Sequence, residues 1–433
     1  MRFRRAVAAA VLGSLAGAAL GCAPPQANSG DQGQRSDQTT GELRVWLFQE
    51  ASNEPKEAVV EEAVAEFEAA HEGVTVNVEY LPVDGRASRF NGAFNDPESA
   101  PDVAEFGNTD LAGYTASNGF ADLTDDLERW PDGADLVPEV LDTARVDGRT
   151  YGVPWFTGTR ALYYRTDVFT ELGLKPPTTL AELTETARAI RAARSDLYGI
   201  SVGGKYLFAL LPFIWAHGGD IAERNGETWS ATIDSPAART GFARYTELIA
   251  PDICPPQQCA QLTGSQSVAA FAGGKAAMTI GGDFNRAAVT EGAVGDRFAV
   301  VPLPGTAPGE IAPAFAGGNL LGVFASTDRR TLAWEFVRLL GGKEYQRALY
   351  DAMGTMPTFT DVQDAVAGAD PFLRPFIETV QAGTRFVPAT PAWTRIDAQA
   401  VLPTAVQQVA TGSQDVDTAT SAAAAEMDAA FAG

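Results

Sequence analysis

Residues 271–284 read Phe271-Ala-Gly-Gly-Lys-Ala-Ala-Met-Thr-Ile-Gly-Gly-Asp-Phe284. Phe271 closes a helix, Gly273-Gly274 makes a tight turn, and Met278 to Ile280 form a short buried strand. A second turn at Gly281-Gly282 then leaves Asp283 and Phe284 as an exposed acid–aromatic pair where the strand ends. Open α/β sheets bind ligands outside the carboxyl ends of their strands. The stretch therefore reads as scaffold as far as Ile280, followed by a candidate ligand turn.

The chain before it is organised in the same way. Residues 43–48 form a first strand, and Asn53-Glu54-Pro55 opens a helix with proline near its first turn. Val60, Ala63, Val64, Phe67 and Ala70 recur at helical spacing and give that helix one apolar face. Val74, Val76, Val78 and Tyr80 alternate with polar residues, which predicts a second strand. Strand–helix–strand implies a parallel sheet. A third strand over 101–106 ends in the polar turn Gly107-Asn108-Thr109-Asp110. Further on, Thr179-Leu180-Ala181-Glu182 is a capping box that starts a helix. Leu332, Phe336, Val337 and Leu340 mark another helix, stopped by Gly341-Gly342.

The N-terminal residues read as an export signal. Arg2, Arg4 and Arg5 precede an uncharged stretch from Ala6 to Leu20, too short for a mature membrane span and suited to a signal-peptide core over 1–21. Ala19-Leu20-Gly21-Cys22 resembles a lipobox, with Ala19 where the usual pattern has leucine, so Cys22 is the expected lipidation site. Residues 22–41 lack large apolar side chains and read as a lipid-anchored flexible tether. The expected location is the extracytoplasmic face of a bacterial cell membrane. About 390 residues remain, enough for two lobes.

The formal net charge is −23, and loss of the three leader arginines takes it to −26. So acidic a chain argues against nucleic acid and anionic lipid as partners. Cys254 and Cys259 lie in Cys-Pro-Pro-Gln-Gln-Cys and, in an exported chain, suggest a disulfide pinching a surface loop. With only His71 and His217 present, a histidine-rich metal site is excluded. No metal or cofactor is expected.

Several segments in order resemble family 1 extracellular solute-binding proteins, the capture subunits of sugar importers. Besides 271–284 they are Pro101-Asp102-Val103 followed by Asn108, Tyr151-Gly152-Val153-Pro154-Trp155, and Tyr163-Tyr164-Arg165-Thr166-Asp167-Val168-Phe169. Pro176-Pro177-Thr178-Thr179, Ala333-Trp334-Glu335-Phe336-Val337 and Gly354-Thr355-Met356-Pro357 also fit. The resemblance spans essentially the whole chain after the leader. It implies two α/β lobes of the periplasmic-binding-protein type, each a mainly parallel sheet flanked by helices, with a ligand cleft between them. Carried over, the boundaries are 42–157 with 284–327 for lobe 1, and 158–283 with 328–433 for lobe 2. A monomer is expected, with the permease of an ABC importer as its protein partner.

A sugar offers flat C–H faces ringed by hydroxyls. Its binder needs aromatic faces and placed polar groups, and buried hydrogen bonds to charged groups contribute about 1.5–3 kcal/mol each. Trp46 in the first strand is either core or ligand platform. Asn108 and Asp110 sit at a strand end, where turn chemistry is the alternative role. Trp155 and Arg160 stand where the chain is expected to cross between lobes. Trp215 and His217, in an apolar run, read as core. The resemblance places Asp283 and Phe284 in the cleft, and Gly317-Gly318-Asn319 matches its Gly-Gly segment, where missing side chains let a ligand approach the backbone. Trp393, in the Pro-rich run Pro388-Ala389-Thr390-Pro391-Ala392-Trp393, has little core to join by sequence and is the foremost aromatic candidate.

Three functions compete. The first is a non-catalytic receptor for a di- or oligosaccharide of chitobiose or α-glucoside type. That specificity is implied by the similarity of Glu105-Phe106-Gly107-Asn108-Thr109 and Trp155 to such receptors. A glycoside hydrolase would need two carboxylates about 5–10 Å apart, and no nucleophile elbow, P-loop or HExxH motif is present. A peptide or polyamine receptor is the third.

Overall fold

The computed structural model describes residues 37–433 except 51–52, 83–84 and 227. The expected leader, Cys22 and the tether as far as 36 lie outside the described residues.

Strand β1 (Gly41–Phe48) lies inside the sheet, one strand from its edge, and is apolar from Val45 to Phe48, where both its faces are covered. It pairs in parallel with β2 (Val74–Leu81) on one side and β3 (Val103–Gly107) on the other, so that Val45 faces both Val78 and Val103. The edge strand β2 keeps the alternation read from sequence. The helix Glu54–Ala70 joins β1 to β2 and buries Val59, Val60, Ala63 and Phe67. The chain enters the opposite edge through β4 (Val153–Gly158). Much later β8 (Gly317–Val323) inserts between β3 and β4, antiparallel to both. This five-stranded sheet packs over a core that includes Phe67, Phe106, Trp155, Leu321 and Phe336.

One residue after β4 the chain enters a second sheet. Strand β5 (Arg160–Arg165) is its centre, flanked by β6 (Met278–Gly282) and β7 (Phe298–Val301). Both pairings are antiparallel, which departs from the mainly parallel sheet expected of this lobe. Its parallel links are single bridges, Tyr198 with Ala276 and Ser201 with Thr279. Gly199, Gly203 and Gly204 surround Ser201, and glycine weakens a strand too much for a full ladder there. The core beneath includes Leu162, Leu183, Phe213, Tyr245, Trp393 and Val406. A third cluster, with Val137, Tyr163, Phe271, Met356 and Phe376, spans the junction between the lobes.

Segment by segment, 271–280 forms as read, but the strand runs on through Gly281 and Gly282, where a turn was expected, and the turn comes at Asp283–Asn285. The helix Gly264–Ala272 ends at Gly273, Gly274 takes φ +76°, and β6 is fully buried. The tether reading extends too far at its end, since the Gln38 N–H donates to Asp328 O at 2.7 Å and Gly41 already starts β1. The helix Arg330–Leu340 packs Leu332, Phe336 and Leu340 into the first core, whereas β7 pairs with β5 of the second sheet. Cys254 and Cys259 have their sulfurs at disulfide distance and Cα atoms 5.9 Å apart. Both are fully buried in the second core, while Gln257 and Gln258 in the segment they bracket are exposed. Among the described residues no helix is long and apolar enough to cross a membrane.

Candidate functional site

A cavity of about 640 Å³ lies where the two sheets meet. The first sheet contributes the residues at the carboxyl ends of β1 and β4 and at the start of β8, namely Glu50, Phe156 to Gly158, Gly318 and Asn319. The second contributes Arg160 at the start of β5, and Asp283 and Phe284 just past β6. This is the strand edge at which α/β sheets bind ligands, and the volume is in the range of small-molecule sites.

The floor on the first-lobe side is a buried ion network. Lys56, on the helix after β1, is fully buried and spends its three N–H donors on Phe48 O (2.8 Å), Glu105 Oε2 (2.8 Å) and Glu50 Oε1 (3.1 Å). Glu105, buried on β3, also accepts from the Phe48 N–H (2.6 Å), and its Oε1 accepts from Asn319 Nδ2 (2.5 Å). Buried charges persist only when paired and hydrogen-bonded in this way. Glu50 and Asn319 thus reach the cavity already oriented from below. The Lys56 ammonium also lies 5.0 Å from the Trp155 ring centroid.

On the second-lobe side the Arg160 guanidinium is held by Tyr206, to whose hydroxyl oxygen its Nε donates at 3.2 Å. The guanidinium lies 4.7 Å from the Phe208 ring centroid and 5.8 Å from that of Phe284. Phe284 is 58% exposed, and it is the one large apolar side chain so exposed among the described residues. Asp283 is buried, not exposed as the sequence suggested. Burial pushes its carboxyl up to about 7, against the opposing pull of the Thr159 N–H, which donates to Oδ1 at 3.1 Å, and of Arg160.

Of the ten residues expected to hold ligand, Arg160, Asp283, Phe284, Gly318 and Asn319 line this cavity. The others are engaged elsewhere. Trp155 is wholly buried and donates its indole N–H to Leu340 O at 3.1 Å. Trp46 is buried edge-on against Phe90 and Phe324. Asn108 is a stitch, its Nδ2 donating to Ala316 O and its N–H to Gly318 O. Gly318 is required by the chain itself: a β-carbon there would lie 2.5 Å from Phe156 O in the neighbouring strand. Trp393, on the helix Pro391–Ala398, is 4% exposed in the second core. That helix packs against Leu111–Ala116 of the first lobe. Asp110 precedes the latter helix, and burial raises both its carboxyl and that of Asp397 on the former. Among the described residues no group of His, Cys, Asp or Glu is placed to hold a metal ion.

Against known families, the profile of bacterial extracellular solute-binding proteins matches residues 62–374. The chain belongs to this family. Among curated relatives of this solute-binding protein, the diacetylchitobiose-binding protein DasA of Streptomyces coelicolor is 26% identical over 360 residues, 82% of either chain. The galactooligosaccharide-binding protein of Bacillus subtilis is 25% identical over 414 residues, covering 91% of this chain and 89% of its own. Among solved structures, the sugar-binding protein MalE of Xanthomonas citri superposes with a TM-score of 0.79 at 24% identity, covering 90% of this chain and 98% of its own. The fold is therefore the two-lobed, MalE-like α/β architecture that the sequence implied.

Sequence reasoning missed Glu50, Lys56 and Glu105 in this solute-binding protein. Lys56 sits in a helix among Glu54, Glu57, Glu61 and Glu62 and looks like a solvated charge. The available signal was its place eight residues past Phe48, one turn into the helix after the first strand. Phe156 was overlooked beside Trp155: strand alternation sends the indole into the core and the phenyl ring to the cavity.

Proposed function

We propose that this protein is the sugar-capturing subunit of an ABC importer, binding a di- or oligosaccharide of chitobiose or α-glucoside type between its lobes without changing it chemically. The observation that carries the reading is the cavity itself, in which the faces of Phe156 and Phe284 stand beside Glu50, Arg160 and Asn319. Aromatic faces suit sugar C–H surfaces, and the carboxylate, guanidinium and amide suit ring hydroxyls. The relatives named for diacetylchitobiose and galactooligosaccharide support the substrate class. The proposed lobes are 42–157 with 317–359, and 160–315 with 360–433, following the packing of their side chains. Binding closes the lobes about their crossings, and the closed form is what the permease recognises. Lipidation at Cys22 would hold the protein at the outer face of the membrane, and intact-mass analysis of the native protein tests it.

Isothermal titration with chitobiose, maltose and galactosyl disaccharides tests the binding. Saturable heat with at least one of them, and recovery of that sugar unaltered after prolonged incubation, is the expected outcome. Absence of heat across the series defeats the sugar reading, and cleavage products defeat the non-catalytic one.

A further inference from the structure

A second cavity, about 510 Å³, adjoins the first. The two share Asp283, Phe284, Ala287 and Met353. Phe284 is therefore the partition between two chambers, with its exposed ring available to both. The far chamber has a built floor. The Arg286 guanidinium lies 4.7 Å from the Phe372 ring centroid and pairs with Asp370 at 2.5 Å. Tyr350 donates its hydroxyl to the same carboxylate at 3.2 Å. An aromatic ring, a planar cation and a fixed carboxylate again stand side by side, the combination found in the first chamber. The acids around this floor, Asp351, Asp370 and Glu291, still outnumber the two arginines beside them, Arg286 and the Arg347 that pairs with Asp351 at 3.0 Å, so an anionic occupant is disfavoured and a neutral polyhydroxylated one is suited.

We propose that the far chamber binds the third and later rings of an oligosaccharide whose first two rings occupy the cleft, with Phe284 stacking at the joint between them. This rests on the sugar-binding reading above. It makes the protein a receptor for chains longer than a disaccharide. A disaccharide fills one chamber and leaves the second to water. A longer chain passes Phe284 and gains the Phe372, Arg286 and Asp370 surface.

The test is a length series by titration calorimetry, using chito-oligosaccharides and malto-oligosaccharides of two to six rings on the wild type, Phe284→Ala and Arg286→Ala. In the wild type, tetrasaccharide of the accepted series binds at least about tenfold tighter than disaccharide. Arg286→Ala leaves disaccharide affinity unchanged and removes most of that gain. Phe284→Ala weakens both lengths, and the tetrasaccharide more. Thermal melts of each variant without sugar establish that it is folded. Equal affinity at all lengths with a tight disaccharide overturns the second chamber and leaves the sugar reading standing. A length gain that survives in Arg286→Ala also overturns it. No binding at any length overturns the sugar reading and this inference together.

Discussion

On the first-lobe side of the cleft, Lys56 and Glu105 are fully buried, and every polar atom of the pair has a partner. On the second-lobe side Asp283 is nearly as buried, yet its carboxyl is pushed up to about 7 because Thr159 and Arg160 do not offset the loss of water. One wall keeps its charges by surrounding them with opposite charge and donors. The other keeps a carboxyl that gives up its charge near neutrality, next to an exposed ring. Buried charge is stable only where the network is complete. The first wall is therefore a pre-set surface, and the second is the one whose chemistry responds to conditions and ligand.

The largest effect that would sharpen this contrast is removal of one member of the first-wall network. Lys56→Ala strands Glu105 without its counter-charge, and stability is expected to fall by about 3–5 kcal/mol in chemical denaturation. The double variant Lys56→Met/Glu105→Gln removes both charges and recovers most of that loss. It nevertheless binds sugar more weakly, because Glu50 and Asn319 lose the groups that orient them. A Lys56→Ala protein as stable as wild type would show that the network is not closed in solution.

The next effect separates core aromatics from cleft aromatics. Trp155→Ala and Trp393→Ala each empty a packed site and are expected to cost about 3–5 kcal/mol of stability. The sequence suggests the opposite for Trp393, a loop indole whose removal leaves the melting temperature unchanged. Its Pro-rich surroundings look like a loop, but Thr390 accepts from the Ala392 N–H and starts a helix at Pro391 that carries the indole into the second core. A small stability change at Trp393 would restore it as a ligand platform.

The residues thus differ in how far sequence can place them. Periodicity delivered β1 to β3 and the intervening helix, because parallel strands and amphipathic helices write their burial into local spacing. The strand ending before Phe284 was legible for the same reason, since glycines ending a buried strand leave a following side chain at its edge, although the strand takes in Gly281 and Gly282 and Asp283 turns inward. What remained hidden depends on partners far away in the chain. Glu105 and Asn319 are 214 residues apart, and neither carries a local mark of the other. Trp46, Trp155 and Trp393 all look able to stack on a sugar, Trp393 foremost, and only the packed fold shows that each is covered. The antiparallel β5–β6–β7 sheet was hidden for a related reason: local pattern predicts strands and leaves their pairing undetermined.

A smaller effect concerns pH and tests the second wall alone. The folded carboxyl of Asp283 holds its proton up to about pH 7, whereas in the unfolded chain it ionises near the ordinary value of 3.8. Its contribution to stability is thus complete below the ordinary value and is lost as pH rises towards 7. Between about pH 5 and about pH 8 the wild type should lose more stability than Asp283→Asn, by on the order of 1–3 kcal/mol. Asp110 and Asp397, also raised by burial, contribute with the same sign in both proteins and cancel in the difference. Parallel pH profiles for the two proteins would mean that Asp283 is ionised in the fold, and the contrast between the walls would then disappear.

The smallest effect on stability is expected where the effect on binding is large. Phe284 is 58% exposed, so truncating it removes little buried area, and Phe284→Ala should change unfolding free energy by no more than about 0.5 kcal/mol. The exposed ring lies over Gly282, where a β-carbon would lie 2.2 Å from it. The backbone thus leaves room at 282 for the ring that lines the cavity. If that geometry serves ligand, affinity for the accepted sugar falls by at least about tenfold in Phe284→Ala, while the melting temperature without ligand hardly moves. Trp155→Ala should give the reverse ordering, with a large loss of stability. Comparing the two variants side by side distinguishes an aromatic kept for the fold from one kept for the ligand, and equal changes in both quantities would erase that distinction.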